Sequence, residues 1–150
     1  MTVVRYSSHM PATAEELFEF HMDVDNLAQI SPPLPRYTLL SAPTPTVEGA
    51  EQRFRLSVGP RSITWRARIT AVAAGAYIED VQEAGPFRSW KHRHSFAPEG
   101  AGSRLTDTVR FRSLPGALGS FMELYTVAPG IWLMFAWRHR RTRALLARKS

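Results

Sequence analysis

The sequence predicts an α+β domain built on an antiparallel sheet, and three observations carry that reading. Six runs between residues 36 and 112 alternate apolar and polar side chains with a period of two. The punctuation between them, Pro43 to Gly49, Gly59-Pro60, Ala74-Gly75, Ala84-Gly85-Pro86 and Pro98 to Gly102, is too short for crossover helices, so neighbouring runs pair as a meander. Helical patterns are confined to the segment after a first strand and to the C-terminal third.

In chain order, Thr2 to Met10 alternates well enough for the first strand. A helix over Ala14 to Phe20 follows, with Thr13 and Glu16 at the spacing of a capping box. A second short helix, about Val24 to Ile30, stops at Ser31-Pro32-Pro33-Leu34-Pro35 because the residue before a proline is pushed out of helical geometry. Strands are expected near 36–42, 50–58, 61–72, 76–82, 87–97 and 103–112. Leu114-Pro115-Gly116 closes the last of them. The helical C-terminus is expected to break at Pro129-Gly130 and to run on from about Ile131 to Arg148.

A chain of 150 residues fits one domain, 1–150, with no linker or repeat. It has no cysteine, which excludes a disulfide framework and thiol chemistry. The opening MTVVRYSSHM has no apolar signal core, and the longest apolar run, Ile131 to Trp137, is far short of the ~20 residues of a membrane span. A cytoplasmic, soluble protein is expected. The net charge of +6 is almost all arginine, since only Lys91 and Lys149 are lysines. Arg53, Arg55, Arg66, Arg68, Arg110 and Arg112 alternate with core residues, as on the solvated face of a sheet, so no nucleic-acid partner is expected. The remaining cluster, Arg138 to Arg143, reads as a solvated helix end that suits the macrodipole; a basic adaptor meeting membrane or nucleic acid is the alternative.

The stretch from Ile78 to Phe96 is the most informative. One face of its second run carries Trp90, His92, His94 and Phe96; in the first run Ile78, Asp80 and Gln82 share a side. Polar groups on a mostly apolar face cost about 1–3 kcal/mol each unless partnered. They mark either a self-satisfied network or a pocket completed by a ligand.

The element order resembles the START-like or Bet v 1-like (SRPBCC) superfamily over the whole chain. The resemblance sharpens at Asp80-x-Gln82-x-x-Gly85-Pro86-Phe87-x-x-Trp90-x-His92-x-His94-x-Phe96, at Leu105-x-Asp107-x-Val109 and at Pro115-x-x-Leu118-Gly119, which look like the bacterial ligand-binding, cyclase/dehydrase-like branch. It implies a helix-grip: a curved seven-stranded antiparallel sheet wrapped around a long C-terminal helix, two short helices after the first strand, and a cavity between sheet and helix. It also implies work without metal or cofactor.

Within that frame, parity puts Phe54, Leu56, Val58, Ile63, Trp65, Ala67, Ile69, Ile78, Asp80, Gln82, Trp90, His92, His94, Phe96, Leu105, Asp107, Val109 and Phe111 on the concave face. The expected ligand-binding set is Phe54, Trp65, Asp80, Gln82, Trp90, His92, His94, Asp107 and Phe135. No catalytic residue is assigned. His92 and His94 with Asp80 or Asp107 pass the first test for a metal site, but the only further histidine downstream, His139, is expected in the basic helix end, and no metal is expected. His92 is placed nearer the ligand and His94 in a structural role. The expected function is binding of an apolar or aromatic small molecule, with His–carboxylate acid/base chemistry of the cyclase/dehydratase kind as the alternative. The turns Ser31–Pro35, Gly59-Pro60, Glu83–Phe87 and Ser113–Gly116 are expected to share one end of the sheet and to form the cavity rim.

Overall fold

The computed structural model describes residues 1–149. Its strands are β1 (Thr2–Met10), β2 (Arg36–Ser41), β3 (Glu51–Val58), β4 (Arg61–Ala73), β5 (Tyr77–Ala84), β6 (Ser89–Glu99) and β7 (Gly102–Arg112). They form one antiparallel seven-stranded sheet in the order β1-β7-β6-β5-β4-β3-β2. Because β1 and β2 are the two edges, the helices between them, α1 (Ala14–Met22) and α2 (Asp25–Ile30), cross from one side of the sheet to the other. The capping box forms as its spacing predicts. The Glu16 amide donates to Thr13 Oγ1 at 3.1 Å, and the Thr13 amide donates to the Glu16 carboxylate at 2.9 Å.

The C-terminal helix departs from expectation. It does not break at Pro129 but runs from Gly116 to Ala147, as α3 (Gly116–Met122), one π-helical turn (Glu123–Val127) and α4 (Ala128–Ala147). Proline in a regular helix lacks an amide and collides with the carbonyl of the preceding turn. Here the turn before it is already widened, with the Ala128 amide bonded to the Glu123 carbonyl five residues back, and Pro129 sits in the first turn of α4. Glu123 is buried and accepts from Thr2 Oγ1 and from the Ser113 amide, both at 2.6 Å, which ties the widened turn to β1 and to the end of β7. At the start of α3 a Cβ on Gly119 would lie 2.3 Å from the Leu114 carbonyl oxygen, so that position requires glycine.

Continuity through Pro129 also changes the membrane reading. Among the described residues Gly116–Ala147 is the one helix long and apolar enough, by length and composition, to cross a membrane. In this fold its inner stripe, Ile131, Phe135, His139, Thr142 and Leu146, is buried against the sheet, while Leu118, Phe121, Leu124, Tyr125, Trp132 and Leu133 are exposed.

The core is layered along the helix axis. One apolar cluster joins Met10, Leu17, Phe18, Ile69, Ile78, Phe96, Leu105 and Leu146. The other joins Val4, Trp65, Trp90, Val109, Phe111, Ile131 and Phe135. Strand register shows what separates them. Trp90 pairs with Phe111, His92 with Val109, His94 with Asp107 and Phe96 with Leu105, so a polar layer lies between two apolar ones. The concave-face parity is as expected, except that Val58 and Ile63, at the tip of the β3–β4 hairpin, are exposed.

Candidate functional site

Asp107 is the centre of the polar layer. Its side chain is buried and receives imidazoles from two elements. His92 Nε2 lies 2.7 Å from Oδ1, and His139 Nε2, from α4, lies 2.6 Å from Oδ2. His94 Nδ1 comes to 2.6 Å of Oδ1, though off the line of a well-formed hydrogen bond. Behind His139, Nδ1 meets Ser8 Oγ on β1 at 2.6 Å. A carboxylate only accepts, so His92 and His139 carry a proton on Nε2, and the Ser8 hydroxyl holds the other ring nitrogen of His139. Burial by itself would raise the Asp107 carboxyl; the charge of the adjacent His94 and the hydrogen bonds from His139 and His92 outweigh it and hold Asp107 well below the usual carboxylate range.

The flanking groups are tuned differently. Burial pushes Asp80 up to about 6; His94 and Arg138 draw it down, while Asp107 and Glu79 add to the rise. Burial lowers His94, and the neighbouring His92 lowers it further. Burial takes His21 down to about 3, so its Nδ1–H donates to the Leu17 carbonyl at 2.9 Å as a neutral imidazole, with its ring 5.2 Å from that of His94.

A cavity of about 610 Å³ lies between the concave sheet face and α4. Its aromatic wall is Phe54, Trp65 and Trp90: Phe54 stacks on Trp65 with ring centroids 5.5 Å apart, and Trp65 meets Trp90 edge to face at 5.0 Å. Asp80, His92 and His94 form the polar end, with His92 Nδ1 3.9 Å from Asp80 Oδ2. From the C-terminal helix Val127, in the widened turn, and Ile131, Met134 and Arg138, in α4, face in. The exposed Leu34 and Leu133 both belong to the lining, so the opening lies between the proline-rich segment and the helix. A second void of about 60 Å³, room for a water or two, sits on the far side of the histidines against His21, Asp107 and His139.

Of the nine expected ligand-binding residues, Phe54, Trp65, Asp80, Trp90, His92 and His94 line the large cavity. The other three face elsewhere. Gln82 folds back over Gly85, donating to the Phe87 carbonyl at 2.7 Å and accepting from the Phe87 amide at 3.2 Å, which braces the β5–β6 turn. Asp107 stands behind the two histidines, and Phe135 is fully buried with its ring 5.1 Å from His92. Position alone does not divide the two histidines into one structural and one ligand-facing ring. Both approach Asp107 and both line the cavity, and His94 is the more exposed, at 19% of its side chain against 6% for His92. The hairpins at Gly59 and Gly85 do share an end of the meander, but of the four proline turns only Ser31–Pro35 reaches the lining.

The basic helix end is also redrawn. His139 is 1% exposed and belongs to the core, and Thr142 is buried. Arg138 lines both the cavity and the small void. Arg141 and Arg143 donate to the carbonyls of Gln29 and His9, and Arg140 lies over the Trp137 ring. The signal for His139 was in the sequence: it follows Ile131 and Phe135 at helical spacing, the same inward stripe. Asp80, His92 and His94 each offer one ligand atom within 4.8 Å of the others, a donor set that a cation would have to draw closer.

A curved antiparallel sheet gripping a long helix, with a cavity and buried histidines between them, defines a helix-grip protein. The sequence model of the family described as polyketide cyclase / dehydrase and lipid transport matches residues 1–131, and the chain belongs to that family. Among solved structures, protein CV1439 from Chromobacterium violaceum is similar with a TM-score of 0.76 at 14% identity, over 97% of this chain and 98% of that one. Protein Ms6760 from Mycobacterium smegmatis has a TM-score of 0.74 at 16% identity, over 99% and 92%. Major latex-like protein 151 from Panax ginseng has a TM-score of 0.66 at 10% identity, over 97% of each chain. At these identities the likeness is one of fold. No curated protein matches the sequence.

Proposed function

We propose that this chain is a single-domain cytoplasmic protein that binds an apolar, aromatic small molecule between the sheet and α4. The observation that carries the reading is the cavity itself: about 610 Å³, walled by Phe54, Trp65 and Trp90 on one side and by Asp80, His92 and His94 at one end. Such a chamber, mainly apolar with a few convergent polar groups, is the ordinary make-up of a small-molecule site. The neutral fluorophore N-phenyl-1-naphthylamine tests it. We expect a saturable fluorescence rise with about one probe per chain, and a roughly tenfold or greater loss of affinity in Trp65→Ala, which removes the ring at the centre of the aromatic wall. Equal binding by the variant would remove the cavity as the site.

One observation favours a second reading, proton transfer on a bound carbonyl compound. Asp80, pushed up to about 6, faces His92 Nδ1 across 3.9 Å on the cavity wall, so a carboxyl group and an imidazole nitrogen share one end of the chamber. That pairing matches the cyclase or dehydrase chemistry in the family's description. Asp80→Asn should then abolish cyclisation of a poly-β-ketone thioester, by ~100-fold or more, while leaving probe binding intact. Unchanged turnover would remove Asp80 from the chemistry.

A further inference from the structure

Among the described residues, three hydrogen-bond donors of the cavity lining, one on β2 and two on α4, have no acceptor. Tyr37 Oη, Trp137 Nε1 and Arg138 Nε are each buried without a partner, and all three residues line the cavity. Arg138 matters most. Among the described residues no carboxylate lies within 4.0 Å of its guanidinium; Asp80 and Asp107 act on it only at longer range. The Arg138 Nε is buried although the residue as a whole is partly exposed, and a cation drawn out of water is ordinarily paired because it loses hydration. Asp107, the nearest fully buried carboxylate, is already saturated by imidazoles.

From this geometry we infer that the ligand is an acid, whose anionic oxygens are received by the Arg138 guanidinium together with the Tyr37 hydroxyl and the Trp137 indole N–H, while its aromatic body lies on Phe54, Trp65 and Trp90. The inference rests on the proposal that this cavity binds a small molecule. A planar guanidinium suits a carboxylate or sulfonate, taking two oxygens at once. The neighbouring donors complete the acceptor shell that water would otherwise supply. Tyr37 is suited to donate rather than to ionise: burial pushes its hydroxyl up to about 12, against the pull of Arg138. The arrangement also fits Arg138 facing inward while Arg140, two residues further on, is exposed.

A matched pair of probes tests the charge. 1-Anilinonaphthalene-8-sulfonate carries the anionic group, and N-phenyl-1-naphthylamine is its neutral counterpart. Both are titrated in the presence of EDTA, so that no cation held by Asp80, His92 and His94 supplies the positive charge. Arg138→Met keeps an unbranched stem but removes the guanidinium, and should weaken the sulfonate by roughly ten- to a hundredfold, the scale of a lost hydrogen bond to a charged group, with the neutral probe changed less than about twofold. Tyr37→Phe and Trp137→Phe should each weaken only the sulfonate, by several-fold. Arg140→Met should change neither. Removing this unpaired, partly buried cation should also leave the melting temperature level or higher. If Arg138→Met affects both probes alike, or neither, the acid-binding role is overturned while the cavity remains a binding site. If the neutral probe fails to bind wild-type protein, it is the cavity reading that fails. A melting temperature that drops in Arg138→Met with both affinities unchanged assigns the residue to the fold.

Discussion

Asp107→Ala is expected to destabilise the protein by about 3–5 kcal/mol, the cost of removing one partner from a buried ionic network. For a domain of this size that is a fall in melting temperature of roughly 10 °C. The expectation follows from the number of groups that lose their acceptor. His92 and His139 each direct an Nε2 proton at Asp107, and His94 lies against the same oxygen. With the carboxylate gone, imidazoles from β6 and α4 are left buried without an acceptor. Asp107→Asn keeps the shape and one carbonyl oxygen, so its loss should be smaller.

The pH dependence has a definite sign. Asp107 is held well below its ordinary value of 3.8 in the folded protein. Its contribution to stability is therefore fully present above the unfolded value and is lost as pH falls through the lower folded one. Chemical denaturation of wild type and both variants from pH 7 down to pH 3 checks this. The gap between wild type and Asp107→Ala should be widest near neutrality and narrow on acidification. A gap below about 1 kcal/mol at pH 7 would mean that the imidazoles find other partners.

Strand positions and facing were legible because period two is a strong signal and short Gly-Pro turns leave little freedom between runs. Each strand lies within about two residues of its expected range, and the concave face carries the expected side chains up to the exposed hairpin tip. What the period could not show was how a side chain is used once it points inward. Gln82 shares a face with Asp80, yet it closes on the Phe87 backbone because the turn at Gly85 brings that peptide within reach. Phe135 and Asp107 point inward too, but sit one layer behind the cavity wall.

The helix was read less well, for a physical reason. Pro129 is a breaker in a regular helix, and a sequence gives little warning that the preceding turn is widened to accommodate it. The run from Arg138 to Arg143 lies on the helix expected from Ile131 onward, yet by composition it reads as a solvated charged end. Continued from Ile131 at helical spacing, the same residues divide. His139 and Thr142 join the core, Arg138 turns to the cavity, and Arg140 remains outside. Composition was the misleading guide, and the angular position of each residue was the informative one.

Phe135→Ala is the second large effect expected, at about 3–5 kcal/mol, the range for truncating a fully buried aromatic ring. Phe135 is 0% exposed, belongs to the apolar cluster with Val109 and Phe111, and sets its ring 5.1 Å from that of His92. The loss has two sources. Apolar surface is no longer buried, and the void left behind borders the polar layer, so His92 loses the ring that fixes its orientation towards Asp107. Leu133→Ala, two residues earlier on the same helix but 63% exposed, should cost no more than ~0.5 kcal/mol. Equilibrium denaturation of the pair separates a helix seated by its inner stripe from one held by its whole circumference. The same pair bears on the ligand site, because the sequence placed Phe135 in the binding set. A loss below ~1 kcal/mol in Phe135→Ala, together with weakened binding of N-phenyl-1-naphthylamine, would return the ring to the cavity wall. A large loss of stability with probe affinity retained at temperatures where the variant is folded fixes it as the wedge between the chamber and the histidine layer.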